Sequence, residues 1–600
     1  MALIVQKYGG TSVGSIERIQ AVAQRVKQTV QAGSSVVVVV SAMGKTTDGL
    51  VKLAYDISPS PNRREMDMLL STGEQVTIAL LSMALQELGQ PAISMTGGQV
   101  GIVTEAEHTR ARILSIETER IERYLAEGKV VVVAGFQGTS SLDELEITTL
   151  GRGGSDTSAV ALAAALTADC CEIYTDVPGI LTTDPRIVPD AQLMSEITSD
   201  EMLELASLGA KVLHPRAVEI ARNYGVLLVV RSSWTDEPGT RVVSPLPQPR
   251  SLAGLEIAHP VDAVEFDLDQ AKVALLRVPD RPGIAARLFG EIATQDLDVD
   301  LIIQSIHEAN TNDIAFTVTQ NSLTRAEAVA EAIAPALRHV LDPAAGEAEV
   351  LVERKIAKVS IAGAGMIGRP GVAATLFSTL ADAGINIQMI STSEVKVSCA
   401  VDAADCDRAI AALCHTFQVS SSPVVAPVRS TLAPVRGAAL DLKQARLAIR
   451  QVPDRPGMAA KIFRLLADRN ISVDMIIQSQ RCRWVNGVAT RDIAFTVTQL
   501  DAEDAQALLQ GAAQDWGMGE VMVDRAIAKV SIVGMGMVGC PGVAGQMFEA
   551  LAQEGINIQM IATSEIKISC VVPEEDGVKA LKAVHAAFKL SGAERITVPA

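Results

Sequence analysis

Thr148-Thr149-Leu150-Gly151-Arg152-Gly153-Gly154-Ser155-Asp156-Thr157-Ser158-Ala159 decides how the first part of this chain is read. It follows an apolar run, Val130 to Ala134, and a Gly/Ser-rich connection, and it leads into Val160 to Leu166, which reads as a buried helix. Gly151, Gly153 and Gly154 let the backbone approach a ligand closely and adopt positive φ. The amides that open the next helix favour an anion. Arg152 adds a planar fork that fits a carboxylate or a phosphate. Asp156 can hold a metal ion or orient a polar group. Such a loop alone can equally be a tight turn, so its neighbours carry the argument.

The N-terminus repeats the arrangement. Leu3-Ile4-Val5 is a strand-like run, Lys7-Tyr8-Gly9-Gly10-Thr11-Ser12-Val13-Gly14 follows, and a helix begins with apolar positions Ile16, Ile19, Val22, Ala23 and Val26. Strand, glycine turn and helix suit a phosphate, but this is not a Walker A loop, because the lysine precedes the glycines. Val36 to Val40 is a strand of the kind buried on both faces. It ends at Ser41-Ala42-Met43-Gly44-Lys45-Thr46-Thr47-Asp48, at a strand C-terminus, where open α/β sheets bind ligands. Ser71-Thr72-Gly73-Glu74-Gln75 starts another helix, with Glu74 placed to complement its dipole. Ala92 to Met95 and Val130 to Ala134 are further strands, with a helix expected between them from about Arg110 to Glu127. Downstream, a strand from Glu172 meets a Pro178-Gly179 turn and a loop closed by Asp184-Pro185-Arg186. Gly209-Ala210-Lys211-Val212-Leu213-His214-Pro215 ends a helix, and Val226 to Val230 is one more strand. The alternation predicts an α/β sandwich with a largely parallel sheet.

Bulk properties narrow the function. Six hundred residues imply several domains. No apolar run approaches the roughly 20 residues that span a bilayer, and the first residues lack a signal-peptide layout. The eight cysteines are scattered, with no CxxC framework, so a reducing cytoplasm is the simplest setting. A net charge of −18 argues against nucleic acid as a partner. Anionic substrates then need local positive charge or a metal ion.

KYGGTSVG from Lys7, TTLGRGGSDTSA from Thr148, YTDVPGI from Tyr174, TTDPR from Thr182 and GAKVLHP from Gly209 together resemble the aspartate kinases, of the amino acid kinase fold. The resemblance implies a three-layer α/β/α sandwich over residues 1–245. It implies transfer of the ATP γ-phosphoryl group to the β-carboxylate of L-aspartate, with Mg²⁺ carried by ATP. Lys7, Arg152 and Asp156 form the implied catalytic set. Lys7, Tyr8, Gly9, Gly10, Thr175, Asp176, Arg186 and Lys211 match nucleotide positions. Ser41, Thr47, Glu74, Arg152, Gly153, Gly154 and Ser155 match aspartate positions, with Arg152 on the α-carboxylate and Ser155 at the junction of the two ligands. Asp156 organises the lysine or the metal. Phosphoryl transfer needs positioning and charge neutralisation, and a carboxylate nucleophile is already ionised at neutral pH. Rival readings are a related kinase acting on glutamate or N-acetylglutamate, and a non-catalytic amino-acid sensor. Glu74, Thr47 and Arg152 favour a free α-amino acid, and intact Lys7, Arg152 and Asp156 favour activity.

Beyond the connector Pro245-Leu246-Pro247-Gln248-Pro249-Arg250 the chain repeats itself. Val278-Pro279-Asp280-Arg281-Pro282-Gly283 returns as Val452-Pro453-Asp454-Arg455-Pro456-Gly457. Gly384-Ile385-Asn386-Ile387-Gln388-Met389-Ile390 returns as Gly555-Ile556-Asn557-Ile558-Gln559-Met560-Ile561. The order A-B-A-B indicates duplication of a pair, with units expected at 250–354, 355–428, 429–525 and 526–600. Each reads as a ferredoxin-like βαββαβ pattern, similar to the ACT domain, an amino-acid-binding module. Most aspartate kinases carry two such units, so four depart from the common pattern. The resemblance implies side-by-side pairing, with an effector between the Pro-Gly loop of one unit and the Asn-Ile strand of its partner. Lysine and threonine are the implied effectors, and a homodimer is the implied assembly. The first pair offers Asp280, Gly283, Ala285, Asp300, Gln304, Asn386 and Ile387. The second offers Asp454, Gly457, Ala459, Asp474, Gln478, Asn557 and Ile558. Thr392-Ser393-Glu394 and Thr563-Ser564-Glu565 are further candidates. Gly363-Ala364-Gly365-Met366-Ile367-Gly368 and its copy mimic GxGxxG, but no full-size Rossmann half follows.

Overall fold

The computed structural model describes residues 2–141, 145–210, 212–245, 250–256, 260–304, 311–337, 348–366, 369–424 and 433–592. It divides into two compact units, Met1–His259, to which Gly592 also belongs, and Pro260–Ser591.

The first unit begins β1 (Leu3–Tyr8), α1 (Ile16–Gln31), β2 (Ser35–Val40), α2 (Thr46–Ile57), α3 (Arg63–Leu70), α4 (Thr72–Glu87), β3 (Ala92–Met95), β4 (Ile102–Thr104), β5 (Ile113–Ile116) and α5 (Glu119–Ala126). It continues β6 (Val130–Ala134), β7 (Gln137–Thr139), β8 (Ile147–Thr149), α6 (Gly154–Ala165), β9 (Cys170–Thr175), β10 (Glu196–Thr198), α7 (Ser199–Ser207), α8 (Pro215–Tyr224), β11 (Leu228–Ser232) and β12 (Thr240–Val243). The main sheet has the order β10-β12-β11-β9-β1-β2-β6-β3. β1 runs parallel to both β2 and β9. Val36 to Val40 and Val130 to Ala134 are buried throughout, because α1 and α4 cover one face and α6 the other. Strands β2, β6 and β3 lie to one side of β1, and β9, β11 and β12 to the other. A crevice opens at such a reversal, beyond the strand C-termini.

The helix expected from Arg110 to Glu127 is mostly not helical. Only Glu119–Ala126 is, and Ile113–Ile116 is a strand in a small sheet of order β5-β4-β7-β8. Pairing with Ile102–Thr104 satisfies its backbone and buries Ile113 and Ile116 on one side, so tertiary pairing overrides the local pattern. The stretch Arg63–Glu87 is long and apolar enough by composition to cross a bilayer, but half of its apolar window is buried within the domain. It is a core helix pair.

The second unit contains the repeats. Their first helices, Ile284–Thr294, Val372–Asp382, Met458–Ala467 and Val543–Gln553, each start behind a left-handed glycine. One ladder runs through the second, first and fourth repeats, and the third has its own sheet. The strand Ala263–Pro279 serves two repeats. Its first part pairs with Lys358 to Ala362 of the second, and its last part with Thr311 to Val318 of the first. Gly437–Asp441 likewise enters the third repeat yet pairs with the fourth.

The pairing expected from chain order is overturned. The first repeat sits beside the fourth, and the second beside the third. Ile284–Thr294 packs on Val543–Gln553, and Val372–Asp382 on Met458–Ala467. The Phe289 and Phe548 ring centroids lie 5.4 Å apart, as do those of Phe377 and Phe463. Ile303 pairs across the seam with Ala562. The physical reason is the shared strand: it joins the first and second repeats edge to edge and leaves their helical faces for other partners.

Candidate active site and regulatory clefts

Three strand ends and one helix start meet in the crevice of the first unit. At the end of β1, Lys7 Nζ lies 2.6 Å from Asp156 Oδ1, in the first turn of α6, and both side chains are nearly buried. The alternation that points Lys7 this way sends Tyr8 into the opposite face. Its ring stacks on Tyr174 with centroids 4.6 Å apart, and its hydroxyl donates to Gln6. Tyr8 therefore offers the crevice main chain only. Gly10 faces the end of β2, where a Cβ would lie 2.9 Å from the Ala42 carbonyl. The Ala42 amide in turn donates to Glu74 at 3.0 Å. Burial raises the Glu74 carboxyl to about 7. Its other oxygen is buried without a hydrogen-bond partner, so one carboxylate oxygen is anchored and one is unused.

The glycine loop is held from below. Gly153 has φ +71°, and a Cβ there would stand 2.2 Å from the His214 ring. Burial, followed by the charge of Arg216, lowers the His214 pKa. Ser155 lies against Gly135, whose added Cβ would meet it at 2.9 Å. Gly154 is packed on Phe136 and Leu150. Arg152 projects from this loop into solvent and forms no ion pair among the described residues. Ser41, at the end of β2, and the half-buried Thr47, in the first turn of α2, flank the same opening. Thr175 Oγ1 donates to Asp176 at 3.1 Å at the end of β9. Arg186 is exposed and paired to Asp184 at 2.7 Å. Lys211 lies outside the described residues.

Two positioning residues were not singled out in the sequence. Asp67 is fully buried and accepts from Thr149 Oγ1 at 2.5 Å and from the Thr109 amide, which fixes β8 just before the glycine loop. Arg216 pairs with buried Glu256 at 2.8 Å and donates to the Leu150 carbonyl, clamping the loop's first residues. Arg216 directly follows the GAKVLHP stretch, but nothing in its spacing predicts a partner so far along the chain.

The second unit divides the expected effector residues between two kinds of cleft. Gly283, Ala285 and Gln304 of the first repeat line one cleft with Asn557 and Ile558 of the fourth. Asn557 Nδ2 donates to Asp280 at 2.8 Å, and Gln304 Nε2 to the Ile558 carbonyl at 2.7 Å. Asp454, Gly457, Ala459 and Gln478 line the equivalent cleft with Asn386 and Ile387. Arg491 holds Asp454 at 2.8 Å. These clefts are nearly closed, at about 20 and 30 Å³. Asp300 and Asp474 belong elsewhere, as do Thr392-Ser393-Glu394 and Thr563-Ser564-Glu565, which line the opposite side of each pair. Asp300 pairs with Lys358, and Asp474 with Lys529 at 2.7 Å. Burial alone would raise the Asp474 carboxyl, but Lys529 and Lys567 outweigh it and hold it well below the usual range.

Comparisons agree with this architecture. The amino acid kinase family profile matches residues 2–232. ACT domain profiles match 272–337, 447–510, 359–417 and 530–588. The chain is 52% identical over 425 residues to an aspartokinase of Bacillus sp. (strain MGA3), covering 71% of this chain and 99% of that one. It is 49% identical over 421 residues to the aspartate kinase of Pseudomonas putida, covering 70% and 98%. The crystal structure of the aspartate kinase from Synechocystis superposes over the whole of both chains, with TM-score 0.86 and 68% identity. Fold and crevice thus define an amino acid kinase bearing ACT modules. The chain belongs to the aspartokinase family. It is an ATP-using enzyme of that family, with the ACT modules of an allosteric one.

Proposed function

We propose that the chain transfers the γ-phosphoryl group of ATP to the β-carboxylate of L-aspartate, giving 4-phospho-L-aspartate, the first step toward lysine, threonine and methionine. The Lys7–Asp156 pair between two glycine-rich backbone turns carries this reading. Two anions repel, and a cation ringed by amides is what holds them at reacting distance. In this reading Lys7 and the amides of Gly9 and Gly10 hold the transferring phosphoryl group. Asp156 keeps Lys7 extended toward it. Arg152 takes the aspartate α-carboxylate, and the unpaired oxygen of Glu74 takes its ammonium. Ser41, Thr47, Gly153, Gly154 and Ser155 shape the same pocket. Thr175, Asp176, Arg186 and Lys211 serve the nucleotide. Mg²⁺ would be held mainly by the phosphates, with Asp156, beside Lys7, the carboxylate that would help hold it, and it would supply charge neutralisation.

Lysine and threonine are proposed to occupy the Asp280/Asn557 and Asp454/Asn386 clefts and to favour a less active state, in a protein that works as a homodimer. Such control requires different affinity for two conformations. A steady-state assay with aspartate, glutamate and N-acetylglutamate tests the substrate. Turnover of ATP with aspartate alone is expected, and none would sink the proposal. Lysine and threonine, added singly and together, test the regulation, which fails if the rate stays constant.

A further inference from the structure

The last stretch of the first unit turns back onto the crevice. Residues 250–256 follow β12 and form no helix or strand, and the second unit begins shortly afterwards, at Pro260. Leu255 and Glu256 are nevertheless buried. The Gly254 and Leu255 amides donate to the Leu114 carbonyl at 2.7 and 3.0 Å, and the Glu256 amide to the Ile113 carbonyl at 3.1 Å. Glu256 Oε2 accepts the Ile113 amide at 2.6 Å in return. A connector that only had to span two units could stay in water. This one buries an acid.

That acid meets Arg216 through two parallel contacts, Nε to Oε1 at 2.8 Å and Nη2 to Oε2 at 2.9 Å, the bidentate geometry that fixes a guanidinium in its plane. So oriented, Arg216 Nη1 donates to the Leu150 carbonyl at 2.5 Å and Nη2 to the Ala111 carbonyl at 2.9 Å. The Ala111 amide in turn donates to the Thr149 carbonyl at 3.0 Å. Both anchor points thus lie at the entry to Gly151-Arg152-Gly153-Gly154. Arg216 stands in the first turn of α8, just after His214, whose ring lies against Gly153. The start of α8 therefore supports the glycine loop at both ends. The connector grips α8 at both ends too. Glu256 holds Arg216 in the first turn, and the Tyr224 hydroxyl, in the last, donates to the Ser251 and Leu255 carbonyls at 3.1 and 3.2 Å. α8 also packs on α6, which starts at Gly154 and carries Asp156.

We propose that Glu256 is a positioning residue for the aspartate pocket, and that displacement of its connector is how the second unit sets aspartate affinity. The proposal rests on the reading of Arg152 as the clamp for the aspartate α-carboxylate. With Glu256 seated, Arg216 is held in plane, Leu150 is fixed, and Arg152 projects from a fixed backbone. A state of the second unit that draws the connector away takes Glu256 off Arg216. The guanidinium then loses its orientation, and the glycine loop loses its support. The Lys7–Asp156 pair is untouched, so the effect falls on aspartate binding and not on the chemical step. Such coupling requires that the effectors bind one state better than the other.

The test is steady-state kinetics with aspartate and ATP varied separately, with and without saturating lysine plus threonine. Glu256→Gln keeps the shape of the side chain and removes its charge. Its KM for aspartate should rise about tenfold, with kcat and KM for ATP within about twofold of the parent's, the pattern of lost binding away from the reacting atoms. Arg216→Lys keeps the charge but not the planar fork. It should show the same pattern, and it serves if Glu256→Gln does not fold. The two substitutions together should cost no more than either alone, because the acid acts through the arginine. A full-length chain with Gly-Ser-Gly-Ser inserted between Ala258 and His259 leaves Glu256 seated. It should keep the parent's KM and lose most of the inhibition by lysine plus threonine. A parent-like KM for aspartate in both point variants, an equal rise in KM for ATP, or simple additivity overturns the positioning role, even where Tm falls. Full inhibition of the lengthened chain overturns the coupling. A parent without turnover would instead sink the substrate reading. A parent that ignores lysine and threonine would sink the effector reading, and the aspartate KM of Glu256→Gln would still decide the role of Glu256.

Discussion

The crevice of the first unit and the clefts of the second are both built at a glycine-led helix start, yet they are assembled differently. In the crevice, Lys7 and Asp156 project from a neighbouring strand and helix within one sheet-and-helix layer. In the second unit each cleft needs two repeats. Asp280 meets Asn557, 277 residues on, while Asp454 meets Asn386, only 68 residues away. The crevice geometry thus belongs to a single domain, and the cleft geometry to a particular choice of partners. Changes in the crevice should act on chemistry, and changes in the clefts should act in reciprocal pairs.

The largest effect should come from Lys7→Ala, which removes the cation proposed to hold the two anions together. Its kcat should fall by about three orders of magnitude or more, with circular dichroism and Tm close to those of the parent. Turnover near the parent's would break the catalytic half of the comparison.

Lys358→Ala comes next, on stability. Losing the buried cation leaves Asp300 uncompensated, while Glu565 keeps its ion pair to Lys396, and breaking such a buried pair costs about 3–5 kcal/mol. Chemical denaturation should register it as an early transition. An unchanged midpoint would mean that the network does not hold the three repeats together.

Gly153→Ala sharpens the crevice side. The added Cβ meets His214 at 2.2 Å, and the left-handed φ is strained for alanine. A loss of kcat/KM of about tenfold to a hundredfold is expected. His214→Ala should recover part of it in the double variant, because the ring is one of the two causes. Simple additivity would remove His214 as the support of the loop.

Asp280→Ala and Asn557→Ala should shift the same effector's half-inhibitory concentration by about tenfold and leave kcat alone. Asp454→Ala and Asn386→Ala should shift the other effector. If Asp280→Ala matched Asn386→Ala instead, the pairing of first with fourth would fail.

The smallest effect is on pH. Glu74 titrates at about 7, raised by burial. It is protonated below that value and charged above it, so KM for aspartate should fall severalfold as pH rises from about 6 to about 8. The sign for stability is opposite. The folded state holds this proton more tightly than the unfolded one, so Glu74 subtracts stability as pH climbs from its ordinary value to about 7. Glu74→Gln should flatten both trends, and a KM profile unchanged by that substitution would detach Glu74 from the substrate.

Much of this was legible in the chain. The apolar runs Val36 to Val40 and Val130 to Ala134 read as strands buried on both faces, since nothing in them favours solvent on either face. The glycines around Arg152 and the Gly9-Gly10 turn announced helix starts with open amides. The Ile113–Ile116 strand was not legible, because a short apolar stretch fits either period until a partner strand is present. Arg216 with Glu256, and Asp67 with Thr149, were invisible for the same reason.

The sequence by itself determined the α/β alternation, the doubled A-B repeat and the residue types gathered at each helix start, because these rest on local backbone chemistry and on periodicity within one element. Only the tertiary structure decided that the first repeat faces the fourth and that Asp300 turns away from Asp280. Edge and face pairing among similar modules depends on which strand is shared, and one strand, Ala263–Pro279, made that choice by serving two repeats within one sheet.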